Sequence, residues 1–294
     1  MDLDRDQLQK DIHALYAREH AELVDSGTLK HLERAEQFKL APILDAGGVL
    51  VFPHAGVQDC SYQIAACVQA CLDSGADRVL VVSVLHAFTD EMEQARRRVA
   101  VGSDVTQEKF WGIQGAGLNR GKEWQGDHAL ISWRHFWDAE VKRRGLSDSQ
   151  IPEVIERYPY LAGGKPEILP GIEELQAIAK DAVIVSTADA FHHGIGYGTP
   201  PEEAFEPDAE GLAKAQAKLE EGMAVLSKGD YWSYNQHCVE AKSDARDAGQ
   251  VFRYLRGEMT GEVLDITYTD ATEIYNQPPP TWVAAALMQW TLVS

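Results

Sequence analysis

Three short apolar runs, each ending in a turn that carries histidine, dominate the hydrophobic pattern of the chain. The first is Gly48-Val49-Leu50-Val51-Phe52-Pro53, an unbroken run bounded by glycine and proline, which predicts a strand buried on both faces. His54 follows it directly, and Ala55-Gly56 breaks it. From Cys60 to Asp73 the residues Ile64, Cys67, Val68, Cys71 and Leu72 recur at three- and four-residue spacing, the pattern of a crossover helix that Gly75 stops. The second run, Val79 to Val84, leads to His86; the third, Ala182 to Thr187, leads to Ala188-Asp189-Ala190-Phe191-His192-His193-Gly194. In a parallel sheet all three turns lie at the carboxyl ends of strands, on the rim where open α/β folds bind ligands. A lone histidine after a strand is usually a loop or capping residue. Three at equivalent places, with a carboxylate, make the donor set of a metal.

The remaining pattern predicts a single α/β domain over residues 1–294, with a central, mostly parallel sheet flanked by helices and residues 1–45 as a helical extension packed on it. Residues 6–24 place Leu8, Ile12, Leu15 and Tyr16 on one face, a helix expected on the outside of the sheet with His13 and His20 among its solvated residues. Residues 29–38 continue it or form a second helix. Residues 91–98 read as a charged helix and 98–102 as a strand; 110–126, rich in glycine and tryptophan, reads as a long loop. Asp127 caps a helix carrying Trp133, Phe136 and Trp137, leaving His128 in its first turn, where the helix terminus favours a neutral ring able to act as base or hydrogen-bond donor. His135, among these aromatics, reads as structural. Further helices are expected over 171–180, 209–226 and 241–256, the last with Asp244 and Asp247 near its start. Strands are expected over 158–162, 263–269 and 282–290, with Pro278-Pro279-Pro280 turning between the last two.

Composition narrows the partners. The formal net charge of −19 argues against nucleic acid or an anionic membrane surface. No apolar run approaches the roughly 20 residues that span a bilayer, and the first residues lack a signal-peptide pattern, so the expectation is a soluble, cytoplasmic protein. Four cysteines do not make a disulfide framework; Cys60, Cys67 and Cys71 read as small core residues, and the adjacent His237 and Cys238 point too far apart on a helix to share a metal.

The order Pro53-His54-Ala55-Gly56, then Ser83-Val84-Leu85-His86, Asp127-His128, and Ser186-Thr187-Ala188-Asp189-Ala190-Phe191-His192-His193-Gly194 resembles the Memo family, which belongs with the class III extradiol dioxygenases of the protocatechuate type. The resemblance runs from about residue 48 onward, and residues 1–45 are only loosely covered. It implies metal ligands at His54 and His86 and a third ligand late in the chain. Memo proteins have there a cysteine in Cys-Gly-Arg, and the dioxygenase branch a carboxylate. The best match here, Asp244-Ala245-Arg246, departs from Memo and restores two histidines and one carboxylate, with Ser243, Asp247 and Glu240 as alternatives. The resemblance further implies His192 as acid/base, with Asp189 orienting it or binding the metal, and His128 nearby. The interval from His128 to His135 is longer than the family's. The implied activity is an Fe(II)-dependent dioxygenase that opens a catecholic or o-aminophenolic ring with O2, as in aromatic catabolism. The alternative is a Memo-like copper or iron protein acting in redox or partner binding without ring cleavage, and a metal hydrolase on the same rim is a third reading. A homo-oligomer is compatible with the sequence but not dictated by it.

Overall fold

The three apolar runs become adjacent strands at the centre of one eight-stranded sheet. The structure, a computed structural model, describes residues 4–293. The chain opens with α1 (Arg5–Ala35) and α2 (Ala41–Asp45), enters β1 (Val49–Phe52), and crosses through α3 (Val57–Asp73) to β2 (Arg78–Val82). Next come α4 (Asp90–Ala100), the short β3 (Gly112–Gln114), α5 (Ile131–Arg144) and β4 (Glu153–Tyr160). α6 (Ile172–Ala179) leads to β5 (Val183–Thr187) and β6 (Phe191–Gly194), followed by α7 (Ala209–Ser227), α8 (Tyr231–Glu240) and α9 (Arg246–Arg256). β7 (Met259–Asp270), α10 (Thr272–Tyr275) and β8 (Thr281–Leu292) close the domain.

The strand order is β3-β4-β2-β5-β1-β8-β6, with β7 also paired to β8. β4, β2, β5 and β1 run parallel, while β3 and the β8, β6, β7 group pair antiparallel. The sheet is therefore mixed, and the parallel arrangement expected for it holds for the centre that carries the histidines. Leu50 and Phe52 enter one core with α1, α3 and α5, while Val49 and Val51 enter a second core with α6 to α9. Burial on both faces is why these strands read as continuous apolar runs.

Close packing fixes the local geometry. α3 brings the buried Ala65, Ala66 and Ala70 against its neighbours, and its three cysteines are free and buried, as is Cys238. Phe52 stacks on Trp133 of α5 with ring centroids 4.8 Å apart and planes 12° from parallel; such pairs contribute about 0.5–1.5 kcal/mol beyond the area they bury. At Gly48 a Cβ would lie 2.6 Å from the Trp290 carbonyl and 2.7 Å from that of Ile43, so only glycine lets β1 start here.

Several elements differ from the sequence expectation. Residues 98–102 are not a strand: α4 runs to Ala100, with Arg97 and Arg98 at its negative end, and Val101 is 85% exposed with no strand beside it. The loop over 110–126 contains β3, which pairs with β4 and buries Ile113. α8 was not foreseen, and the helix expected from 241 begins only at Arg246, leaving Asp244 in a connecting loop. The N-terminal half of α1 lies over the carboxyl ends of the strands and not on the outside of the sheet. Arg5 donates to the Ala87 carbonyl, Gln9 and His13 meet the Gly126 carbonyl, and Tyr16 donates to the His54 carbonyl. No helix among the described residues is long and apolar enough to cross a membrane.

Candidate metal centre

Register puts the three turns side by side. Phe52 of β1 is opposite Thr187 of β5, and Val82 of β2 is opposite Ser186, so His54, His86 and Asp189 emerge from neighbouring strand ends. The Ala188 amide donates to the Phe52 carbonyl at 3.0 Å and fastens two of the turns together.

Hydrogen bonds set the orientation of both imidazoles. The Thr187 hydroxyl donates to the Phe52 carbonyl at 3.0 Å, so its oxygen accepts from His54 Nδ1, also at 3.0 Å. His86 Nδ1 lies 3.2 Å from both carboxylate oxygens of Asp127, which can only accept. Each Nδ1 thus carries hydrogen, and each Nε2 is the position open to a proton or a cation. Both Nε2 atoms face Asp244 Oδ2, at 3.1 Å from His54 and 3.6 Å from His86. That oxygen is buried and has no hydrogen-bond partner. Ligands at about 2.1 Å from one ion stand about 3.0 Å apart at octahedral angles and about 3.4 Å apart at tetrahedral ones. The buried His54/His86/Asp189/Asp244 cluster could therefore hold a metal ion.

Protonation tells the same story. Burial alone would push both imidazoles down, but Asp189 and Asp244 raise His54, and Asp127 with Asp244 lifts His86 to about 10. Burial disfavours the ionised Asp244, yet His54 and His86 hold it well below the usual carboxylate range. The pocket is built to keep positive charge beside Asp244, supplied by protons or by a cation. Asp127 is the anchor behind His86, taking the His86 amide at 2.8 Å and the Ala129 amide at 2.9 Å as well as the ring. It is not the helix cap expected for it, because α5 begins only at Ile131.

The other expected residues are present with altered roles. Asp189 Oδ1 accepts from the His54 amide at 3.0 Å and Oδ2 stands 3.7 Å from His54 Nε2, while the Asp189 amide donates to Asp244 Oδ1 at 2.8 Å. It does not orient His192, whose Nδ1 is buried with no partner. Burial holds His192 below its ordinary value, and its nearest aromatic neighbour is Tyr197 at 4.8 Å. His128 stacks on His86 at 4.2 Å, completing a second His54/His86/His128 group, and is pushed well below its ordinary value by burial first and by His86 next. Its neutral form thus comes from burial and not from a helix terminus. Of the four third-ligand candidates, only Asp244 faces the histidines. Asp247 Oδ1 accepts from the Ala162 amide at 2.8 Å, Ser243 accepts from the Ala245 amide at 3.2 Å, and Glu240 is exposed and paired with Lys218 at 2.8 Å. His135 meets Thr28 and His20, away from the cluster.

Beside the cluster lies a cavity of about 250 Å³ whose wall includes His192, Phe88, Tyr197, Tyr275, Ile12 and Leu15. Apolar cavities of about 150 Å³ accept benzene, so this one is large enough for a substituted ring. The sequence reading missed Tyr197 and Tyr275, and it placed Leu8, Ile12, Leu15 and Tyr16 on one face of a helix without assigning that face to a cavity. The only available signal was the Leu8, Ile12, Leu15 stripe, which is identical to that of a helix facing a core. No family model matches the chain, and no curated protein matches it.

Proposed function

We propose that the protein is a non-haem Fe(II) dioxygenase of the extradiol type, opening a catecholic or o-aminophenolic ring with O2 on a Memo-like scaffold. The observation that carries this reading is the convergence of two imidazole Nε2 atoms and one unpartnered carboxylate oxygen on a point beside a ring-sized cavity. Two histidines and one carboxylate suit Fe(II) with positions left open, whereas Cu(I) prefers thiolate, and the buried Cys238 lies outside the cluster. His54, His86 and Asp244 would hold the ion, with Asp189 against His54. When bound, it supplies a Lewis-acidic, redox-active centre that brings the diol and O2 together.

The chain's own groups handle the protons. His192 and His128, both kept neutral by burial, are the bases available on the cavity wall, and each has an unpartnered Nδ1. One of them takes a proton from a ring hydroxyl and returns it as the product forms. The ring C–C bond beside the diol breaks, and both oxygen atoms of O2 enter the product. α1 closes over the cavity and limits water. Anaerobic loading with Fe(II), followed by air and a panel of catechols and o-aminophenols, tests the reading: a yellow ring-opened product is expected from at least one of them. No colour with any, together with tight copper binding, would replace this reading with the metal-binding one.

A further inference from the structure

The two halves of α1 are held in different ways. Inside it, Val24 adopts φ 45° and ψ 176°, a left-handed and non-helical conformation for a β-branched residue. Val24 is 61% exposed and is followed by Asp25-Ser26-Gly27. Beyond this point Thr28, Leu32 and Ala35 are buried, and Gln69 of α3 donates to the Leu32 carbonyl at 2.8 Å. Before it, Tyr16 and Leu23 are the only buried side chains among the described residues, and the half-helix is tied down by polar contacts. Arg5 and Tyr16 donate to backbone carbonyls, and Glu19 accepts from the Val57 amide at 2.7 Å. A segment with few apolar contacts, attached through one strained residue, has the make-up of a locally opening unit with a hinge.

This half carries the apolar side of the cavity. Leu8, Ile12 and Leu15, at i, i+4 and i+7, line it and are partly buried. The charged groups along the wall do not favour an anion. Arg5 already stands 3.5 Å from Asp90 and 3.6 Å from Glu93, and Arg96 stands 3.2 Å from the Leu85 carbonyl and 4.0 Å from Asp247. Glu19, Glu93 and Asp270 also border the cavity, so its carboxylates outnumber its guanidiniums even before Asp189 is counted.

We propose that the N-terminal half of α1 is a hinged specificity wall: Leu8, Ile12 and Leu15 receive an uncharged, apolar ring substituent, and the half-helix swings about Val24 to admit it. The ligand class rests on the ring-cleavage reading, while the hinge does not. The test uses the full chain loaded with Fe(II) under anaerobic conditions, with 4-nitrocatechol as the visible probe and two competitors, 4-tert-butylcatechol and 3,4-dihydroxybenzoate. The tert-butyl compound is expected to bind about tenfold or more tighter than the benzoate, the size of effect that burying a few methyl groups produces. Ile12→Lys should erase that preference, and Leu15→Ala should shrink it. A benzoate that competes equally well, or variants that keep the original preference, would overturn the specificity claim. Binding of the metal without binding of any diol would instead sink the ring-cleavage reading and the ligand class with it. Amide hydrogen exchange on the same protein decides the hinge separately. Residues 5–23 should exchange about tenfold or more faster than residues 27–35, and equal rates would rule the hinge out.

Discussion

On the floor of the cavity, His54, His86 and Asp244 each have the polar side-chain atom that does not face the candidate ion tied to a neighbour from another segment. On the roof, Leu8, Ile12 and Leu15 are held by a helix attached mainly through polar contacts: hydrogen bonds to backbone carbonyls and one backbone amide, the His20–Ser132 contact, and the ion pairs of Arg5 with Asp90 and Glu93. The floor is preorganised by Thr187, Asp127 and Asp189, so little rearrangement is needed for the donors to meet an ion. The roof trades that rigidity for movement. The difference teaches that one cavity can separate the task of holding a reactive centre from the task of choosing what reaches it.

The largest effect should come from the floor. Asp244→Asn keeps an acceptor for the Asp189 amide but removes the charge, so bound metal, measured by elemental analysis, should fall to a small fraction of wild type while the fold survives. Full metal occupancy in that variant would remove Asp244 from the ligand set. Next in size, His192→Ala should retain metal and lose about 10²–10⁴-fold in turnover of any accepted diol. If metal departs with activity, His192 is a ligand; if activity stays, His128 carries the proton transfer alone.

Asp127→Asn tests the support behind the floor. The ring of His86 would lose its charged acceptor, and metal affinity should drop by about 10–100-fold. An unchanged affinity would mean that stacking on His128 suffices to hold the ring. The smallest effect belongs to the roof. His20 of α1 meets Ser132 at 3.1 Å and lies 4.3 Å from the His135 ring, and burial first, then His135, pushes it down to about 4. Tyr16 stacks beside it, and Asp138 is the charge acting on its partner His135. Because the folded value lies below the unfolded one, this contribution is complete above about pH 6.5 and is lost as pH falls toward 4. The group is half-exposed, so His20→Gln should narrow the difference in melting temperature between pH 7 and pH 4.5 by only about 1–2 °C. An identical difference in wild type and variant would exclude His20 from the attachment of α1.

The same contrast explains what the sequence made legible. A run such as Val49 to Phe52 has one physical interpretation, and a histidine at its end inherits the strand's position. The apolar spacing places Asp244 at the start of a helix, whereas it lies in the loop before Arg246, and only the family resemblance singles it out as a ligand. Asp127 looked like a cap because an acidic residue before an apolar helix usually is one, yet a partner 41 residues earlier claims its carboxylate. α8 escaped notice because its polarity is inverted, with Trp232 and Val239 exposed and Asn235 buried. In α1, periodicity shows that one face avoids water but cannot say whether it meets a core or a cavity.

The bonds from the His54 amide to Asp189 and from the Asp189 amide to Asp244 span 135 and 55 residues of chain. During synthesis, therefore, both imidazoles leave the ribosome long before the carboxylate that completes their set. At roughly 5–20 residues per second the nascent chain spends on the order of ten to thirty seconds with two of the candidate donors and no third. An ion captured in that interval would be held weakly and exchanged freely. Firm retention would wait for the last third of the polypeptide to dock, so any ion held by the finished protein would be chosen by the folded donor set and not by whichever cation arrived first.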